Sequence, residues 1–330
     1  MKAVVLTGYR KIKLQDVPAP KIEDTPETPA EQATMLLKVE AASICNASDY
    51  RLYVAKDPAK VWPYQNWPFV LGHELCGTVV ETGPKIKGWN AGDRIVGWCP
   101  PYGGFAEYCR VYGNFMVSIH VPQSWPAWQT CVLEMAIATC RKLVAADGHK
   151  NIEDRSRVIV VGLGASGQFY TQMAGLMGAS HIIGIDMVQQ RRDLASKLGA
   201  DEVFAPDTSV YDMILKKFGQ VDVVIDTTGL DLRSEFYKVL RKGGMIIPFG
   251  IGFDWTKVAD ELEERNIRIA QGEREEAIAA TRLIYEWINN KNLKIEPLIT
   301  HRIRLEDIPG IIPEITKKPE KYMKVVAEID

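Results

Sequence analysis

Arg157-Val158-Ile159-Val160-Val161-Gly162-Leu163-Gly164-Ala165-Ser166-Gly167 is the stretch on which the fold turns. Its opening residues form a near-continuous apolar run, the pattern of a strand buried on both faces. Gly162, Gly164 and Gly167 follow in G-x-G-x-x-G spacing, and a helix is predicted from there to about Met177. A second strand, His181-Ile182-Ile183-Gly184-Ile185, ends at Asp186, 19 residues after Gly167. A lone glycine triad marks many tight turns. A strand before it, a helix after it and an acid closing the next strand make the full setting of a dinucleotide loop. Gly162 permits the turn, Gly164 lets backbone N–H groups approach a pyrophosphate, and Gly167 lets the helix close on the strand. Ala165 and Ser166 open the helix, whose N-terminal dipole favours the anion. Asp186 is expected to accept hydrogen bonds from the ribose hydroxyls, which favours NAD over NADP. Arg191 and Arg192 pull the other way, unless Arg191 lies along the adenosine.

Working outward, further strands are predicted at Glu202-Val203-Phe204, Val221 to Ile225, Gly244 to Pro248 and Ile267 to Ala270, with helical segments between most of them. That alternation predicts a doubly wound parallel sheet. Thr228-Gly229 and Gly250-Ile251, beyond two of these strands, are expected to border the nicotinamide. The first 130 residues read differently. Short β-like runs such as Met35 to Val39, Gly77 to Glu81 and Arg94 to Trp98 are separated by Gly83-Pro84, Gly92-Asp93, Pro100-Pro101 and Gly103-Gly104, as in an irregular, mostly antiparallel β domain. After about Gly272 a helix (Glu273 to Asn289) leads to Ile303-Arg304-Leu305 and a closing strand, Met323-Lys324-Val325-Val326. The tail is read as returning to the N-terminal domain. The chain is thus expected to be α/β, with a dinucleotide-binding domain at 138–271 inserted into a mainly-β domain of 1–137 and 272–330. Lys324 is counted with the dinucleotide-binding residues.

The 330 residues are 46% hydrophobic and 25% charged, which suits two packed domains. Forty basic against 42 acidic side chains give a formal charge of −2, and nothing in that balance recommends nucleic acid or an anionic membrane as partner. The run Met1 to Gly8 is too short for a signal sequence and reads as a first strand. No window approaches the roughly 18 apolar residues of a membrane span. Six cysteines are scattered without the density of a disulfide scaffold, and a cytoplasmic, reduced protein is expected.

Gly72-His73-Glu74 supplies an imidazole and a carboxylate, with His73 lying 28 residues after Cys45. Singly, each of these residues is commonplace: a lone Cys is usually a small buried hydrophobe. Together they form a donor set that zinc accepts, and a catalytic zinc needs three protein ligands and one open position. The chain resembles the zinc-dependent medium-chain dehydrogenase/reductase superfamily, particularly its polyol (sorbitol-like) and threonine dehydrogenase branches. The resemblance covers essentially the whole chain. It rests on Cys45 with Ser48-Asp49, Gly72-His73-Glu74, Gly92-Asp93-Arg94-Ile95, Gly103-Gly104-Phe105-Ala106-Glu107-Tyr108, Leu133-Glu134 and the glycine loop.

The resemblance implies a GroES-like catalytic domain beside the Rossmann domain and one zinc ion per chain. Cys45 and His73 would ligate it, with Glu74 a direct or exchangeable ligand and Glu134 a further carboxylate, direct or through water. Cys131 is a rival ligand. Asp49 would orient His73 through its other ring nitrogen. The implied reaction is hydride transfer between a secondary alcohol, such as a polyol or sugar, and NAD, with the ketone formed in return and Ser48 carrying the proton. Relatives are commonly homodimers or homotetramers.

Two departures from the family pattern stand out. Cys45-Asn46-Ala47-Ser48 has one residue more than the usual spacing, and Arg51 stands where many members have a relay histidine. Arginine stays protonated and cannot shuttle a proton. It leaves the proton to water or the ribose hydroxyl, or it binds an anionic group itself. Only Cys99 and Cys109 occur where many members place four cysteines for a structural zinc, so none is expected. Tyr50, Tyr53, Trp62, Tyr64, Trp67 and Phe69 read either as core or as the walls of a sugar pocket. His120, His149, His181 and His301 read as structural or exposed. Two rival readings are a zinc-free enone or quinone reductase of this fold and a non-catalytic NAD-binding sensor.

Overall fold

The computed structural model describes every residue except 63–65, 99–102, 114–117, 146, 271 and 273, so Tyr64, Cys99, Pro100-Pro101 and Glu273 lie outside the described residues. The chain divides into two compact units, Met1–Met135 with Leu298–Asp330, and Ala136–Pro297.

In the first unit, β1 (Lys2–Gly8) and β2 (Lys11–Asp16) form a hairpin, and β3 (Thr34–Ile44) is the long central strand. Met35, Leu37 and Val39 alternate into the core along β3, the period-two pattern of a strand with one covered face. A short helix, α1 (Ser48–Tyr53), follows, then β4 (Phe69–Val70), β5 (Glu74–Thr82), β6 (Arg94–Trp98), β7 (Tyr108–Tyr112) and β8 (Ser118–His120). Strand β5 runs antiparallel to β3 with Ser43 opposite Glu74. Their close approach depends on Gly77, where a Cβ would stand 2.5 Å from the Lys38 carbonyl oxygen. Two helices, α2 (Ala127–Thr130) and α3 (Leu133–Cys140), lead out of the β region.

The second unit is the doubly wound sheet that the glycine loop predicts. Strands β9 (Arg157–Val161), β10 (His181–Ile185), β11 (Glu202–Phe204), β12 (Val221–Asp226), β13 (Leu240–Pro248) and β14 (Arg268–Ile269) lie in the order β11-β10-β9-β12-β13-β14, every pair parallel. Relabelled from the first strand of the unit, that is the 3-2-1-4-5-6 order of a dinucleotide-binding fold. Helices α4 (Ala165–Leu176), α5 (Gln189–Lys197), α6 (Val210–Phe218), α7 (Arg233–Val239) and α8 (Ala259–Glu264) connect the strands.

The expected return to the first unit at residue 272 comes later, at Leu298. Helix α9 (Arg274–Asn289) belongs to the second unit. It buries Ala277, Ala280, Ile284 and Trp287, a stripe at three- and four-residue spacing. The chain beyond it is tied down by Gln172, whose amide donates to Lys294 O (3.1 Å) and accepts from Lys294 N (2.8 Å). Back in the first unit, β15 (Ile299–Arg304) is followed by α10 (Ile308–Ile315) and β16 (Lys324–Glu328). Strand β16 lies inside the large sheet, parallel to β15 and antiparallel to β3. Among the described residues no helix is long and apolar enough to cross a membrane.

Candidate active site

Residues 28 apart in sequence meet because of one strand register. With Ser43 opposite Glu74, the end of β3 and the start of β5 lie side by side, which carries Cys45 and His73 to the same end of the pair. The approach to β5 is held by Gly72, at φ +92°, whose carbonyl accepts N–H bonds from Gly103 (3.1 Å) and Gly104 (2.9 Å). The outcome is a cluster in which one donor atom each of Cys45, His73 and Glu74 lies within 4.8 Å of the others. His73 and Glu74 are buried and Cys45 is half-buried.

Helix α1 folds back onto this cluster. Ser48 N–H points at Cys45 Sγ (3.4 Å), and one carboxylate oxygen of Asp49 accepts the Cys45 N–H (2.9 Å). The other oxygen lies 3.6 Å from His73 Nδ1, where the sequence reading put Asp49. Burial alone would push the His73 imidazole towards its neutral form. The close polar groups and charges of Asp49 and Cys45 outweigh that and raise its pKa well above the usual histidine value.

Glu74 has two buried partners of its own. Ser43 Oγ and Lys324 Nζ both donate to its Oε2, and Lys324 also donates to Ile44 O (3.3 Å). Lys324, counted with the dinucleotide residues from the sequence, is buried in the first unit with its ammonium on Glu74. Burial alone would lower its pKa, but the charges of Glu74, Cys45 and Glu134 hold it above the ordinary lysine value. Neither partnership was visible in the sequence.

Glu134, in the first turn of α3, is not among the three clustered donors, although its charge is felt at Lys324. Cys131 is not among them either. Burial pushes its thiol pKa up, and its Sγ–H donates to Trp128 O (3.6 Å). Of the aromatic segment, Tyr53, Trp62, Trp67 and Phe69 pack on the hydrophobic core of the first unit. His120 is stacked on Trp89, with ring centroids 3.9 Å apart.

Within the second unit, the residues assigned to the dinucleotide gather at the C-terminal ends of β9, β10, β12 and β13. Gly162 has φ +86°, and a Cβ there would lie 2.4 Å from Thr227 Oγ1. At Gly167 a Cβ would stand 1.9 Å from Gly162 O, so no side chain fits between helix and loop. Gly164 caps α4, with only an Arg191 Nη atom as near as 4.0 Å to the place of its missing Cβ, leaving the backbone of Ala165 and Ser166 approachable. Asp186 accepts Leu163 N–H (2.6 Å) and Val188 N–H (2.7 Å), and Arg191 lies 3.8 Å from it. Gln168, unremarked in the sequence, binds Leu163 O (2.9 Å) and Arg191 O (2.8 Å) and so ties α5 to the loop. Thr228 caps Asp226 through N–H (2.8 Å) and hydroxyl (2.7 Å), and the loop at Gly250 packs so closely that a Cβ would lie 2.0 Å from Gly229 N.

Two family models match the chain and together take in more than half of it. The alcohol dehydrogenase GroES-like domain matches residues 31–123, and the zinc-binding dehydrogenase domain matches residues 165–273. The chain belongs to the zinc-type medium-chain dehydrogenase superfamily. Among its relatives in this superfamily, sorbitol dehydrogenase of Bombyx mori is 26% identical over 92% of both chains. D-xylulose reductase of Saccharomyces cerevisiae is 24% identical over 99% of this chain and 97% of its own. The solved structure of alcohol dehydrogenase TADH from Thermus sp. ATN1 superposes with a TM-score of 0.80 at 21% identity, covering all of both chains, a likeness of fold.

Membership implies zinc and a nicotinamide cofactor, and the clustered residues of this medium-chain dehydrogenase fit the metal. A thiolate, an imidazole and a carboxylate are a zinc donor set. Cys45 and Asp49 both press on one buried imidazole, a demand for positive charge that a divalent ion at the cluster would answer. Asp49 then keeps the tautomer of His73 fixed from behind.

Proposed function

We propose that the chain is an NAD-linked, zinc-dependent dehydrogenase of secondary alcohols of the polyol or sugar class. One observation carries the reading: the buried meeting of Cys45, His73 and Glu74 donors within 4.8 Å, in a chain that also bears a complete glycine loop. The relatives named as sorbitol dehydrogenase and D-xylulose reductase support the substrate class. Cys45, His73 and Glu74 would hold one zinc ion, with Glu134 one step further out beside Lys324.

When bound, zinc supplies Lewis-acid polarisation of the alcohol or carbonyl oxygen, and the nicotinamide accepts or returns the hydride. The residues of the chain do the rest. Ser48, three residues from Cys45 at the start of α1, takes the proton that leaves the alcohol oxygen as the carbinol hydride departs. Arg51, one turn on and exposed, remains protonated and passes nothing along, so the proton continues to water or to a ribose hydroxyl. Asp49 holds the ring of His73, and its acceptance of Cys45 N–H fixes the loop that carries the thiolate. In the second unit, the N–H groups at the start of α4 receive the pyrophosphate and Asp186 the adenosine ribose. The charge of Asp186 would repel a 2′-phosphate, which selects NAD.

The test is NAD-linked activity of the purified protein across polyols, sugars and hydroxy acids, with zinc content measured on wild type and Cys45→Ser. The reading expects about one zinc per chain, turnover of at least one secondary alcohol, and loss of both in the variant. A metal-free sample active on enones or quinones would replace this reading with a reductase. NADH binding without turnover on any alcohol would point to a sensor.

A further inference from the structure

The carboxylate of Glu74 is held by a row of residues that runs across three strands. Val326 on β16 faces Ser43 on β3, which faces Glu74 on β5. Lys324 stands two residues before Val326 and therefore on the same face of the sheet. This row places a hydroxyl and an ammonium against one oxygen of Glu74, and all three residues are sealed from solvent: Ser43 is 0% exposed, Glu74 1% and Lys324 1%. A buried ammonium is costly unless it is paired, and here its partners are Glu74 Oε2 and the Ile44 carbonyl. Oε2 takes both donors, and among the described residues no side-chain hydrogen bond falls on Oε1.

We propose that Ser43 and Lys324 are positioning residues that pin Oε2 of Glu74 and leave Oε1 alone to face the metal, so that Glu74 serves as a one-oxygen ligand that an alcohol oxygen can displace. The inference rests on the reading of Cys45, His73 and Glu74 as a metal site. A carboxylate able to turn both oxygens to the ion would occupy the position that a catalytic zinc must keep open. A carboxylate anchored through one oxygen cannot, and only its other oxygen is left for the ion. Among the described residues Ser43 and Lys324 make no hydrogen bond to Cys45 or His73; the charge of Cys45 is felt at Lys324, whereas Ser43 acts through Glu74 alone.

Cobalt(II) exchanged for zinc gives the readout, because its visible bands are strong at low coordination number and weaken as ligands are added. The proteins are wild type, Ser43→Ala, Lys324→Arg and the double variant Ser43→Ala/Lys324→Met. We expect wild type to take up cobalt with strong bands and Lys324→Arg, which keeps the charged donor, to match it. Ser43→Ala and the double variant should lose band intensity and shift to shorter wavelength as Glu74 chelates. Wild-type intensity in the double variant overturns the proposal. If the double variant does not fold, Ser43→Ala decides alone, and an unchanged spectrum there overturns it. A wild type that binds no cobalt fails at the metal site itself and is thereby told apart from a failure of the pinning.

Discussion

Replacing Gly72 by alanine should damage the protein through two separable costs. The first is backbone strain. Gly72 has φ +92°, and forcing an L-residue into a left-handed conformation costs about 1–2 kcal/mol. The second is steric. An added Cβ would lie 2.6 Å from Phe105 Cδ1 and 2.7 Å from the Phe105 backbone nitrogen. Neither neighbour can retreat, because the Phe105 ring is fully buried and its N–H is bonded to Leu71 O at 2.9 Å. Overpacking of this kind costs about 1–3 kcal/mol, giving a total near 2–5 kcal/mol. Gly88 provides the control. It has φ +78° with nothing within 4 Å of the added atom, so Gly88→Ala pays the strain alone. Urea unfolding of both variants measures the difference, and zinc content reports whether the two residues after Gly72 still reach the site. Gly72→Ala should be less stable than Gly88→Ala by about 1–3 kcal/mol and should lose zinc. Equal unfolding midpoints with full zinc in both would refute the reasoning.

Asp186→Ala should weaken NAD binding by about tenfold to a hundredfold, the loss of one or two hydrogen bonds to a charged acceptor. NADP should be weakened far less, and an unaltered ratio of the two dissociation constants, measured by fluorescence titration, would remove Asp186 from the ribose. Asp222 tests the pH dependence of the fold. Burial alone would raise its carboxyl pKa, but the hydrogen bond from Arg241 Nε (2.6 Å), that from Arg157 N–H (2.7 Å) and the charges of both arginines depress it below the ordinary value. A depressed folded pKa stabilises fully above the unfolded carboxylate value and fades as pH falls through the folded one. Asp222→Ala should therefore cost about 1–2 kcal/mol near neutral pH, with the gap in melting temperature closing in acid. A gap that persists in acid would show that the aspartate acts by packing.

The dinucleotide unit was legible almost residue by residue, since strands buried on both faces read as plain apolar runs and glycines mark the turn between β9 and α4. The donors Cys45 and His73 were legible for a different reason: thiolate and imidazole are rare enough, and their surrounding motifs numerous enough, to stand out. What failed to show depended on register and on helix packing. Ser43 is brought to Glu74 by the β3–β5 ladder, and Lys324 by the insertion of β16 beside β3, and no local pattern announces either. The contact of the Lys324 ammonium with Glu74 likewise has no local sign in the sequence. The domain return was read at the break in the strand–helix rhythm after Gly272, whereas α9 groups with the second unit, which runs to Pro297.

Strand β16 gives the molecule an order of assembly. It fills an inner place in the sheet of the first unit, yet residues 324–328 leave the ribosome only after the whole of the second unit has been made. The second unit can close as soon as its own residues have emerged, while the first must wait with β3 and β15 both lacking a neighbour. Those two open edges are the kind of surface to which other strands add. A chain interrupted before Lys324 would carry every clustered donor and still leave Glu74 without its cation.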